Sequence, residues 1–157
     1  MEKVPMTASG LFALEKELRQ LKFNDRHQVI KAIEVAREHG DLSENAEYHA
    51  AREKQSFIEG RVMELESVIS LADVIDPTTL SGDTVRFGAT IELADENTDD
   101  ESTFQIVGTY EADIEKGLLS VTSPTARALI GKSLGDSVEV TTPGGSKSYE
   151  IIKVDYK

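Results

Sequence analysis

The stretch "YHAAREKQSFIEGRVMELESVISLA", residues 48–72, decides the fold. Tyr48, Ala51, Gln55, Ile58, Val62, Leu65, Ile69 and Ala72 recur at intervals of 3, 4, 3, 4, 3, 4 and 3, a heptad seam sustained over more than three repeats. A stripe this narrow cannot bury itself, so it predicts a helix that needs a partner helix. Upstream, Leu11, Leu14, Leu18 and Leu21 begin the same pattern, Asp25 interrupts it, and Val29, Ile33 and Ala36 resume it. A shift of that kind alters the supercoil locally. Thr7 or Ser9 is placed to cap the first helix, and Gly40 stands where a left-handed residue ends one. Two helices of about 30 residues joined by a tight turn pack antiparallel over roughly 45 Å, which makes the turn the tip of an arm. Gly60 falls inside the second helix, where glycine is about 1 kcal/mol worse than alanine. Close approach of the partner helix is one reason to keep it.

Composition narrows the rest. The 157 residues fit one domain or two small ones, and the absence of cysteine excludes disulfides, thiolate metal sites and cysteine nucleophiles. The start, "MEKVPMTASG", lacks the basic segment and apolar core of a signal peptide, and no run approaches the ~20 apolar residues that span a bilayer. The expectation is a soluble, cytoplasmic protein with no membrane partner. A formal net charge of −12 argues against strong binding to free nucleic acid, which works through phosphate neutralisation by basic residues. The partner suggested instead is a protein with a positively charged surface or cavity.

The chain changes character near "VIDPTTLSGD" (74–83): three of four prolines and eight of eleven glycines follow residue 75. The predicted domains are a helical hairpin over residues 1–75, with its tip near 39–46, and a β-rich module over 76–157. The module's runs "TVRFG", "TIELA", "TFQIVG", "SVEVTT" and "YEIIKVDY" alternate with a period of 2, as strands do. "DENTDDEST" (95–103) and "TPGGSK" read as hairpin turns. In "SPTARALIG" (123–131), Ser123 as N-cap, Pro124 at the first helical position and Gly131 past the end describe one short helix. The fold class is therefore α+β in two domains: a long antiparallel coiled-coil hairpin, then a mostly antiparallel sheet with one helix.

The tip, "HGDLSENAEYHAAREKQ" (39–55), admits two readings. Asp41-Leu42-Ser43-Glu44 matches a capping box in its Asp-x-x-Glu form, and acids suit the positive end of a helix dipole. Structure alone would account for both residues. An arm of this length is also a means of carrying its end somewhere, and two carboxylates are what Mg²⁺ usually takes from a protein, with water and phosphate filling the remaining positions. Asp41 and Glu44 would then be half of a site that another molecule completes.

"AREHGDLSENAEYHAAREKQ" (36–55) resembles the signature of the bacterial transcript-cleavage factors of the Gre family, of the GreA type. "VIDP", "SPTARALIGKSLGDSVEVTTPGG" and the closing "YEIIKVDY" resemble that family's C-terminal domain, so the likeness covers nearly the whole chain. It implies a coiled coil that enters the secondary channel of RNA polymerase and an FK506-binding-protein-like domain that docks at the channel rim. It also implies that Asp41 and Glu44 help hold a Mg²⁺ ion shared with the polymerase, with no cofactor in the isolated protein. The polymerase's own active centre then cuts the 3′ end of backtracked RNA. The chain would thus be an activator of a polymerase reaction rather than an enzyme, acting as a monomer.

By the same resemblance Ser43 is a polar contact between the two acids, and Arg37 and Arg52 contact the extruded RNA. Plain alternatives remain for each. Arg37 and Arg52 could pair with Glu38, Glu47 or Glu53 on solvated faces. His39 and His49 lack zinc-site spacing and read as surface or tip-packing residues. Two rival functions use the same architecture, an inhibitor that occupies the polymerase channel and a coiled-coil scaffold whose tip acids only cap a helix. Retention of "GDLSENAEY" favours cleavage.

Overall fold

A computed structural model describes residues 2–41 and 44–157. Contacts divide these described residues into two units: residue 2 with those between 11 and 72 form one, and residues 3–10 with 73–157 form the other.

In the first unit, α1 (Ala8–Gln20) and α2 (Arg26–Arg37) run into one another through a π-helical turn, Leu21–Asp25. Reversal at the tip then leads into α3, Ala46–Ser70. The π turn sits where the spacing of apolar residues slips. Leu14 and Leu21 are seven apart, Leu21 and Val29 are eight apart, and all three are buried. One wide turn absorbs the surplus residue, so the stripe keeps facing α3. Gln20 and Asp25 brace it, with the Gln20 amide donating to the Asp25 carboxylate at 3.1 Å and the Asn24 amide to Gln20 at 2.8 Å. On the other side the seam buries Ile58, Val62 and Leu65 as the 3-4 spacing requires. In the last turn burial passes to Val68, while Ile69 is only half-buried.

Charged pairs flank this seam and fix its register. Arg61 grips Glu17 in a bidentate pair at 2.7 and 2.8 Å and also meets Glu64. Arg26 grips Glu59 in the same way, at 2.8 and 2.7 Å. Hydrogen bonds from Arg61, reinforced by its charge, hold the Glu17 carboxyl below the usual carboxylate range against the opposing effect of burial, and Arg26 acts likewise on Glu59. A planar guanidinium matches a carboxylate only in one relative placement, so these pairs specify how far one helix slides along the other.

Thr7, not Ser9, caps α1: its hydroxyl accepts the Gly10 N–H at 3.1 Å. Thr7 is itself buried, and the Glu111 carboxylate accepts both its backbone N–H, at 2.9 Å, and its hydroxyl. Next to it, a side chain at Gly108 would lie 2.3 Å from the Pro5 carbonyl oxygen, so glycine is required there. These contacts, with the pairing of β1 (Val4–Met6) and β2 (Ala72–Val74), explain why residues 3–10 group with the second unit although they open the sequence of the hairpin.

The second unit is built on a five-stranded sheet in the order β5-β4-β3-β7-β6. Its strands are β3 (Thr90–Asp95), β4 (Glu101–Val107), β5 (Leu118–Ser120), β6 (Ser137–Thr142) and β7 (Gly145–Asp155). Pairing is antiparallel except between β4 and β5, and a bulge shifts the β3–β7 register between Glu92 and Leu93. Helix α4 (Pro124–Leu129) covers one face, burying Ala126 and Leu129 against Ile91, Leu93, Ile106, Val138, Val140 and Ile151. Ser123 caps α4 by accepting the Ala126 N–H at 3.2 Å, and Gly131 follows with φ +89°. "TVRFG" departs from the predicted strand. Thr84 makes only an isolated bridge to Ser133, Val85 is buried in the core, and the chain turns at Gly88.

Gly60 is exposed, and an added methyl there meets nothing within 4 Å. Close helix approach is therefore not its reason. With no clash to oppose the better helix former, Gly60→Ala is expected to raise unfolding free energy by about 1 kcal/mol in urea titrations.

Candidate functional site

The tip is built from the ends of α2 and α3. Helix α2 closes through tightening turns, with the His39 N–H on the Ala36 carbonyl at 3.1 Å and the Gly40 N–H on that of Arg37 at 3.3 Å. Gly40 then takes φ +97°, the left-handed exit its position predicted.

What starts α3 differs from the capping box at Asp41. The N-cap is Asn45, four residues later, in extended conformation, and its side-chain oxygen accepts the Tyr48 N–H at 3.0 Å. Its amide nitrogen meanwhile donates to the Ala36 carbonyl at 2.6 Å. The third helical position is thus Tyr48 rather than an acid. The local pattern Asp-x-x-Glu is present, but the cap that opens α3 is Asn45, which also contacts the opposite helix.

Asp41 and Glu44 are both exposed and line one open depression together with His39, Asn45, Ala46 and Glu47. The His39 imidazole lies 3.7 Å from the Glu47 carboxylate, and the His49 ring meets Tyr48 edge-on with centroids 5.6 Å apart. Arg37 and Arg52, predicted from opposite helices, come to one shallow groove beside Glu34 and Gln55. The ion pairs that fix the hairpin register use other residues, Glu17 with Arg61 and Arg26 with Glu59. Ser43, and Leu42 with it, lie outside the described residues. Among the described residues no group of three or more His, Asp or Glu is placed to hold a metal ion. Sequence reasoning missed Asn45, whose second contact depends on tertiary structure.

A two-helix hairpin with exposed acids at its tip, followed by a five-stranded sheet domain, is the architecture of the chain. The chain belongs to the GreA/GreB family of transcription elongation factors. Residues 4–74 match "Transcription elongation factor, N-terminal" and residues 80–156 match "Transcription elongation factor, GreA/GreB, C-term". It is 70% identical over 156 residues to transcription elongation factor GreA of Ruegeria pomeroyi, 67% to that of a Jannaschia species and 64% to that of Paracoccus denitrificans. Each comparison covers 99% of both chains. Among the described residues no helix is long and apolar enough to cross a membrane.

Because Asn45 is the cap, Asn45→Ala is expected to cost about 1 kcal/mol of hairpin stability, whereas Asp41→Asn and Glu44→Gln leave thermal melting nearly unchanged. Melting followed by far-UV circular dichroism distinguishes the three.

Proposed function

We propose that this elongation factor works by delivery: its hairpin carries Asp41 and Glu44 into RNA polymerase, where they complete a site for cleaving the 3′ end of backtracked RNA. One observation carries the reading. The N-cap that opens α3 is Asn45 rather than Asp41. The acids stand exposed in a single depression at the far end of a hairpin whose α3 alone has 25 residues, about 37 Å at 1.5 Å per residue.

The donor set suits Mg²⁺, a hard ion that takes oxygen ligands and commonly only one or two protein carboxylates. Asp41 and Glu44 would hold it jointly with groups of the polymerase. The chemistry such an ion would supply is activation of water and stabilisation of charge on the scissile phosphate. The chain's own residues supply ligands and placement. Arg37 and Arg52, exposed in one groove near the tip, would meet RNA phosphates in this reading, and Arg forks suit such contacts. The bond broken and the remaining catalytic groups belong to the polymerase, so the protein is an activator with no turnover of its own. A net charge of −12 is consistent with recruitment through protein rather than through free nucleic acid.

The test is a stalled bacterial polymerase complex carrying 3′-labelled backtracked RNA. Wild-type protein should accelerate release of the labelled fragment, and Asp41→Asn, which loses the charged ligand, should reduce the stimulation by at least about 100-fold. Equal cleavage by the two proteins, or slower cleavage with wild type than with none, would reject delivery.

A further inference from the structure

Among the described residues of the tip, Asn45 bridges the two helices. Asp41 and Glu44 both fall between the last buried residue of α2, Ala36, and the cap of α3, Asn45. One side chain spans those two anchors: the Asn45 amide nitrogen holds the Ala36 carbonyl at 2.6 Å while its oxygen holds the Tyr48 N–H at 3.0 Å. Ala36 is 2% exposed and cannot shift without opening the seam, so the clasp ties the entry and exit of the reversal to the rigid part of the hairpin. We infer that Asn45 is a positioning residue for the cleavage reaction, setting where Asp41 and Glu44 stand relative to the hairpin core.

The inference rests on the delivery reading above, and the chemistry of the clasp makes it separable from helix capping. Capping needs only an acceptor, which Ser and Asp supply as well as Asn does. The bond to Ala36 needs a donor at the far end of the same side chain. A carboxylate has none and would oppose the carbonyl, and a serine hydroxyl is too short to serve both partners. Asn45→Ser and Asn45→Asp therefore keep the start of α3 and release its tie to α2. An ordinary structural role would be satisfied by either. A positioning role would not, because reacting groups displaced by about 1 Å can lose 10²-fold in rate.

The experiment is single-turnover cleavage in the stalled polymerase complex, titrated with full-length wild type, Asn45→Ser, Asn45→Asp and Asp41→Asn, with melting measured on each. The expected result is that both Asn45 variants melt close to wild type and reach half-saturation at the same protein concentration. Their plateau rate should fall roughly ten- to a hundred-fold, and the Mg²⁺ concentration for half-maximal cleavage should rise. Wild-type plateau rates for Asn45→Ser and Asn45→Asp, alongside an inactive Asp41→Asn, would overturn the positioning role and leave delivery standing. An altered half-saturation with an unchanged plateau would overturn it too, by showing that Asn45 affects only binding. Full activity of Asp41→Asn would remove delivery itself and the inference with it.

Discussion

Everything at the tip depends on one constraint: two antiparallel helices must keep a narrow apolar stripe face to face along the whole hairpin. The first limb carries one residue too many between Leu21 and Val29, and a π turn at Leu21–Asp25 absorbs it. Without that turn, Val29, Ile33 and Ala36 would rotate off the seam, and the Ala36 carbonyl would leave the position where Asn45 meets it. Bidentate pairs of Arg26 with Glu59 and Arg61 with Glu17 lie on either side of the turn in sequence and hold the register there. Packing of the stripe thus sets geometry many residues away, at a segment with little core of its own.

Local signals made much of this fold readable. Helix α3 follows from its 3-4 spacing, α4 from Ser123, Pro124 and Gly131, and the hairpins from the turn residues of 95–103 and 142–147. Contacts between residues far apart in sequence were not readable. Strand β1 pairs with β2 more than sixty residues away, and β5 is three residues long and joins β4 in parallel, so neither offers the alternation that marks a strand. "TVRFG" has that alternation and is no strand, because Gly88 turns the chain after Val85 has entered the core.

The candidate site shows the same division. Its acids were visible as residue types at a helical reversal, and the family resemblance attached a role to them. The cap of α3 is Asn45 rather than Asp41, for a reason the sequence does not contain. Two capping frames are open, one starting at Asp41 and one at Asn45, and local propensity favours neither. Asn45 caps α3 and also reaches the Ala36 carbonyl on the opposite helix, a second contact that only tertiary structure reveals. Gly60 is the converse case, a residue whose presence suggested close packing and whose surroundings are open.

Reach is the claim most directly measurable. The chain has no cysteine, so a single Ala46→Cys at the exposed start of α3 takes one nitroxide label, and Ser67→Cys, near the other end of that helix, serves as the reference. In a stalled polymerase complex loaded with Mn²⁺ in place of Mg²⁺, dipolar broadening by the metal should be strong for the label at 46 and weak for the label at 67. Equal broadening at the two positions, or none at 46, would contradict delivery of the tip to the polymerase metal site.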